Sequence, residues 1–171
     1  SYIHRCQKDG VKIVMNCEVT PELIKEEKPD SVIIATGSKT LILPIEGIDN
    51  PAIIHGSDLL DGKRPAGKKV LVVGGGMVGC ETAAFLGEQE HDVTVIEFRD
   101  TVGADVIHEH RVYLMKDFED YGIKEITGAK VCKFYEDGVE YETADGVRHE
   151  TRGYDSVILS MGFRNYNPLE E

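Results

Sequence analysis

Lys69-Val70-Leu71-Val72-Val73 runs straight into Gly74-Gly75-Gly76-Met77-Val78-Gly79, and a helix is predicted to open at Gly79 and continue through Cys80-Glu81-Thr82-Ala83-Ala84-Phe85-Leu86-Gly87. Consecutive aliphatic residues without polar alternation read as a strand buried on both faces, the kind found inside covered parallel sheets. Val93-Thr94-Val95-Ile96 is the next predicted strand, and it ends on Glu97. This order predicts an α/β fold, a Rossmann-like parallel sheet with helices on both faces.

The turn has a chemical reading as well. In a G-x-G-x-x-G turn the first glycine (Gly74) permits the tight strand-to-helix reversal. The second (Gly76) lets the backbone approach a pyrophosphate, and the third (Gly79) lets helix and strand pack closely. A pyrophosphate would then sit on the unpaired amides and the positive dipole end of the helix. Glu97 follows Gly74 by 23 positions, close to the ~20 expected of the acid that accepts from adenosine ribose hydroxyls. Dinucleotide binding is the favoured reading. Two others share the outline: a glycine turn that merely joins strand to helix, and a methyltransferase loop. The latter usually follows an acid at the strand end, where this chain has Val72-Val73. Gly75 is read as adding flexibility without a required role.

Ahead of this motif, Val11 to Val19 is predicted as a strand, Pro21 to Lys28 as a short acidic helix capped by Thr20, and Ser31 to Ala35 as a buried strand. A Pro- and Gly-rich stretch from Ser38 to Gly67 reads as connector, with a helical turn at Ser57 to Leu60. Beyond the motif, Asp105 to Asp120 carries a helical stripe closed by Gly122, and Ile123 to Ile126 is a strand. Val131 to Tyr135, Val139 to Thr143 and Val147 to Thr151 form a predicted β-meander crossover with turns at Asp137-Gly138 and Asp145-Gly146. Asp155-Ser156-Val157-Ile158-Leu159-Ser160-Met161-Gly162 then repeats Asp30-Ser31-Val32-Ile33-Ile34-Ala35-Thr36-Gly37 almost residue for residue, and Gly10-Val11-Lys12-Ile13 echoes Gly122-Ile123-Lys124. Two related units are implied. The opening Tyr-Ile-His-Arg-Cys-Gln-Lys reads like a helix already under way, so the chain is expected to be a piece of a longer protein, with the first unit's own nucleotide-binding start outside it.

Charge and composition narrow the partners. Lys and Arg total 19 against 31 Asp and Glu, a net charge of −12, the wrong sign for holding a phosphate backbone, so no nucleic-acid partner is expected. The apolar run around Val70 to Cys80 is interrupted by glycines and far shorter than the ~20 residues of a membrane span, so no membrane partner is expected either. Cys6, Cys17, Cys80 and Cys132 have neither CxxC pairing nor zinc-spaced histidines, which predicts reduced thiols in a cytoplasmic protein and no metal site. Cys80 is read as packing, and His108 and His110 as solvated surface. Glu81 falls early in the helix and reads either as a first-turn acid favoured by the dipole or as a group reaching towards the nicotinamide.

Ala35-Thr36-Gly37-Ser38, Pro44-Ile45-Glu46-Gly47, the run from Gly67 to Ala83 and Val93-Thr94-Val95-Ile96-Glu97 together resemble the two-dinucleotide-domain flavoprotein reductases. His55-Gly56-Ser57-Asp58-Leu59-Leu60-Asp61-Gly62 with Cys80-Glu81-Thr82-Ala83 is most similar to the C-terminal part of old yellow enzyme-like NADH:flavin oxidoreductases, the 2-enoate reductase, 2,4-dienoyl-CoA reductase and trimethylamine dehydrogenase group. That resemblance implies a remnant of a truncated FAD-binding domain at residues 1–44, a connector at 45–67, an NAD(H)-binding domain at 68–163 and a tail at 164–171 leading back to the FAD domain. It implies NADH as ligand, held by Gly74, Gly75, Gly76, Met77, Val78, Gly79, Glu97, Phe98 and Arg99, with Glu81 towards the nicotinamide and Gly162 bordering the pocket. FAD, FMN and an iron-sulfur cluster belong to the intact parent only, in the missing FAD and barrel domains that would be this chain's partners. Thr36-Gly37 matches the segment near FAD. The redox CxxxxC of the disulfide reductases is absent, so the resemblance assigns this piece no catalytic residue and no turnover of its own. The competing class is a non-catalytic NADH-binding or redox-sensing module.

Overall fold

Five parallel strands form the central sheet in the spatial order β2 (Ile54–His55), β9 (Ser156–Leu159), β3 (Lys69–Val73), β4 (Asp92–Ile96) and β5 (Lys124–Ile126). The chain is described over residues 2–169 of a computed structural model and divides into two units, Lys39–Arg164, which holds this sheet, and Ser1–Ser38 with Asn165–Glu171. Glu170 and Glu171, the end of the expected tail, lie outside the described residues, as does Ser1.

The period-two alternation of β3 sorts its side chains between two cores. Val70 and Val72 pack with Val93, Val95 and Ile158 against the helical side, where α3 (Gly56–Leu60) gives Leu59, α4 (Met77–Glu88) gives Cys80, Ala83 and Leu86, and α5 (His108–Asp120) gives Leu114 and Phe118. Leu71 and Val73 join Ile96, Val157 and Leu159 on the opposite face. There they meet Val131, Phe134 and Val139 of an antiparallel meander, β6 (Lys130–Tyr135), β7 (Gly138–Glu142) and β8 (Arg148–Thr151). The sheet is therefore α/β and parallel as expected, but its helices lie on one face rather than both. The meander takes the second face because its Val131, Phe134 and Val139 supply the apolar surface that a helix would otherwise provide. Each fully buried aliphatic side chain in these two layers is worth about 1.5–3 kcal/mol of transfer free energy.

Several boundaries differ from the sequence reading. Helix α4 starts at Met77, two residues before Gly79, because Gly76 is extended (φ −72°, ψ −175°) and serves as its N-cap. Helix α5 starts at His108 rather than Asp105, whose side chain bonds elsewhere. The 45–67 stretch expected as connector supplies edge strand β2, helix α3 and buried Ile53, Ile54 and Leu59. Ser38–Thr40 (β1) and Phe163–Asn165 (β10), both unanticipated, make a separate two-stranded pair.

In the smaller unit, α1 (Tyr2–Lys8) and α2 (Pro21–Glu27) form, and Thr20 caps α2 by accepting from the Leu23 amide at 3.3 Å. Neither predicted strand does: residues 11–19 and 31–35 make no ladder, and Ile33 is 91% exposed. A strand exists only through its neighbours, and these runs have no pairing partner among the described residues. The matching segment in the larger unit shows what pairing requires. Asp155 accepts from the Lys69 amide at 2.8 Å and Ser156 Oγ from the Gly67 amide at 2.9 Å, which sets β9 in register beside β3.

The internal repeat nevertheless survives in the backbone. Helix α5 closes with Ile123 N donating to Phe118 O and Gly122 N to Glu119 O, and α1 closes with Val11 N donating to Cys6 O and Gly10 N to Gln7 O. These are one Schellman closure made twice. Gly10 and Gly122 take φ +72° and +64°, and the other equivalent pair, Gly37 and Gly162, takes +81° and +96°.

Candidate functional site

The strand order switches direction at β3: the chain leaves it for β4 on one side and returns to β9 on the other. Ligands of open α/β sheets bind outside the carboxyl ends of strands at such a point. A cleft of about 450 Å³ opens there. Its walls are the β3–α4 turn (Gly74, Gly76, Met77, Val78), the end of β4 (Glu97, Phe98, Arg99) and the end of β9 (Ser160 to Phe163).

The turn is built by close backbone approach. Gly74 takes φ +105°, and a Cβ there would lie 2.4 Å from the Ser160 carbonyl oxygen. A Cβ on Gly79 would lie 1.8 Å from the Gly74 carbonyl oxygen, so α4 can sit on β3 only with glycine at that position. Gly76 lines the cleft, and a Cβ there would have the Asp105 carboxylate as its nearest neighbour, at 3.1 Å. The amides of Gly76 and Val78 have no partner among the described residues, leaving them as donors at the start of a twelve-residue helix. Ser160 Oγ in the cleft wall is buried and has no hydrogen-bond partner among the described residues. These groups fit a pyrophosphate-containing ligand.

Glu97 is fixed in place by the turn it follows: its Oε2 accepts from the Gly75 amide at 2.6 Å and its Oε1 from the Arg99 amide at 3.0 Å. Gly75 therefore does more in the turn than add flexibility. Any Cβ there would press to 2.9 Å on both Glu97 Cβ and Val102 Cγ1. Its carbonyl also accepts from the Gly103 amide at 2.7 Å and from the Cys80 thiol at 3.2 Å.

Of the residues expected to hold a ligand, Gly74, Gly76, Met77, Val78, Glu97, Phe98, Arg99 and Gly162 line the cleft, while Gly75 and Gly79 support it from behind. Glu81 does neither. With Gly79, Cys80 and Ala83 turned to the sheet, the helical period swings Glu81 outward, where it lies 3.5 Å from His110 on α5. That half-exposed pair contributes at most about 1 kcal/mol. His110 stays half-exposed beside Glu81, and no three metal-ligating side chains converge among the described residues.

Sequence reasoning missed Asp105 and Ser160. The Asp105 contact spans 28 positions through a loop, and no local spacing signals it.

Cys80 is fully buried, and that burial pushes its thiol up to about 12. The thiolate is the reactive form, so a disulfide reagent is expected to label exposed Cys17 in the native protein and buried Cys80 only after denaturation. Native labelling of Cys80 at the rate of Cys17 would contradict its place in the core.

A profile of the pyridine nucleotide-disulphide oxidoreductase family matches residues 2–171. The chain is 35% identical over 143 residues to a bilirubin reductase from Mediterraneibacter gnavus, covering 84% of this chain and 22% of that protein. It is 34% identical over 163 residues to a cinnamate reductase from Clostridium sporogenes, covering 94% and 24% respectively. The structure of a 2-naphthoyl-CoA reductase complex superposes with a TM-score of 0.78 at 33% identity, over 95% of this chain and 24% of that one. The chain thus spans about a quarter of the length of the relatives it matches. Its glycine turn, its parallel sheet and these likenesses agree: the chain belongs to the pyridine nucleotide-disulphide oxidoreductase family.

Proposed function

We propose that this chain is the NADH-binding part of a flavin-dependent oxidoreductase of the old yellow enzyme-like group, holding NADH for hydride transfer to FAD. On this reading the whole enzyme reduces an enoate-type or related small substrate, and its FAD, FMN and iron-sulfur cluster are held by FAD and barrel domains that partner these 171 residues. The observation that carries the NADH reading is the conjunction, in one cleft, of unpaired α4 amides with a carboxylate fixed at the end of β4. The relatives' names, cinnamate reductase and 2-naphthoyl-CoA reductase among them, support the substrate class.

Bound NADH supplies the hydride, from nicotinamide C4. The chain's own work is binding and orientation. Gly76 and Val78 donate backbone N–H groups to the pyrophosphate, Glu97 accepts from the adenosine ribose hydroxyls, and Phe98, 68% exposed at the rim, offers an apolar face to the adenine. The β9 end, from Ser160 to Gly162, borders the remaining half of the dinucleotide.

Glu97 sets the cofactor preference. A 2′-phosphate removes one hydroxyl donor, worth about 1.5–3 kcal/mol to a carboxylate, and brings roughly two negative charges beside the acid. NADH is therefore expected to bind at least about tenfold tighter than NADPH, and Glu97→Ala to narrow that gap. Fluorescence titration with both cofactors decides it. NADPH binding equal to or tighter than NADH would remove the role given to Glu97, even with Arg99 close by in the same wall.

A further inference from the structure

The α4 N-terminus is occupied by part of the chain itself. Asp105 Oδ1 accepts from the Met77 amide at 3.0 Å, and the other carboxylate oxygen lies 3.1 Å from where a Cβ on Gly76 would stand. Both positions belong to the surface that a pyrophosphate would cover, and Asp105 lines the same cleft as Gly74, Gly76 and Glu97. A carboxylate and a phosphate are both anions satisfied by backbone N–H groups at a helix start, so they compete for the same donors.

We propose that Asp105 is an internal competitor for the pyrophosphate subsite, whose side chain must leave the Met77 amide before a dinucleotide can bind, and that it thereby sets the affinity of the cleft. This inference rests on the NADH reading above.

The surrounding loop is built for such a swing. Arg111 Nη2 donates to Thr101 Oγ1 at 2.9 Å and to the Val102 carbonyl at 3.1 Å, Val102 is buried, and the Gly103 amide donates to Gly75 O at 2.7 Å. The loop backbone is thus clamped to the glycine turn at residues 101–103, while the Asp105 side chain is exposed at the cleft mouth. Rotation about its own side-chain bonds releases the amide without moving the clamp. With the carboxylate in place, a dinucleotide faces a lost donor and a like charge beside its phosphates. Once the carboxylate has rotated to solvent, the donor is restored and the repulsion is screened by water.

Asp105→Asn removes the charge, so the neutral amide oxygen holds the Met77 N–H more weakly and no longer repels a phosphate. Calorimetric titration with NADH is expected to give about tenfold tighter binding in Asp105→Asn than in the wild type, with the gap narrowing as salt is raised. A residue that only capped the helix would leave affinity and salt dependence unchanged, so equal or weaker binding by a folded Asp105→Asn, with the wild type binding NADH, overturns this inference and leaves the NADH reading standing. Binding by neither protein overturns both. A second measurement needs no variant: in isotopically labelled wild type the Asp105 carboxyl carbon and the Met77 amide should shift together as NADH is added. A carboxyl resonance unmoved at saturation also overturns the proposal.

Discussion

Gly79→Ala is expected to destabilise the larger unit by on the order of 3 kcal/mol or more, read as a fall in the midpoint of denaturant unfolding. The new methyl would stand 1.8 Å from the Gly74 carbonyl oxygen and 2.8 Å from its carbon, both backbone atoms that no rotamer change can move. Relief requires α4 to lift from β3. That separates Cys80, Ala83 and Leu86 from Val70 and Val72, and it disturbs the turn whose Gly74 amide donates to Ile96 O. A midpoint within experimental error of the wild type would show that the turn has slack that the packing does not display.

Gly76→Val should have the opposite signature, a protein that folds and no longer binds dinucleotide. The Gly76 backbone is in a region open to any residue, and the nearest obstacle to a side chain is the far end of Asp105, which can turn aside. The stability change should stay within about 2 kcal/mol, the cost of displacing the Asp105 carboxylate from the Met77 amide. On the proposed reading the isopropyl group would stand where phosphate oxygens meet the Gly76 and Val78 amides, and NADH affinity is expected to fall by at least about a hundredfold. Unchanged affinity in a folded Gly76→Val would make the turn a joint between strand and helix and nothing more. Two glycines three positions apart therefore answer different questions, one about packing and one about ligand.

The part of the chain from Lys69 to Ile96 was legible from sequence because its signals are local. Uninterrupted aliphatic residues, a glycine turn and a second aliphatic run each constrain neighbours a few residues away, and the structure places β3, α4 and β4 where these signals lie. What escaped depends on partners distant in sequence. Val11 to Val19 and Ser31 to Ala35 have the composition of strands, yet strand composition does not supply a ladder, and they make none among the described residues. Strand β2 has two residues in a Pro- and Gly-rich stretch and exists because Ile54 and His55 meet Ile158 and Leu159 from a hundred positions later. The candidate site divides along the same line: Gly74, Gly76, Glu97 and Gly162 could be read from the chain, whereas the Asp105 contact depends on a loop folding back and the buried Ser160 hydroxyl on β9 pairing beside β3.

The place of β9 in the sheet has a consequence for how the chain comes into being. It is the last of the five parallel strands to be synthesised, and it lies between β2 and β3. Until residues 156–159 have left the ribosome, β2 has no neighbour in the sheet, and the edge of β3 that will receive Val157 and Ile158 is bare, with its backbone N–H and C=O groups unpaired. A strand edge in that condition is a template for pairing with other nascent chains. Vectorial synthesis cannot close this sheet stepwise from the N-terminus. Its closure waits for β9 to insert, so one edge of β3 stays open throughout translation of the residues between them.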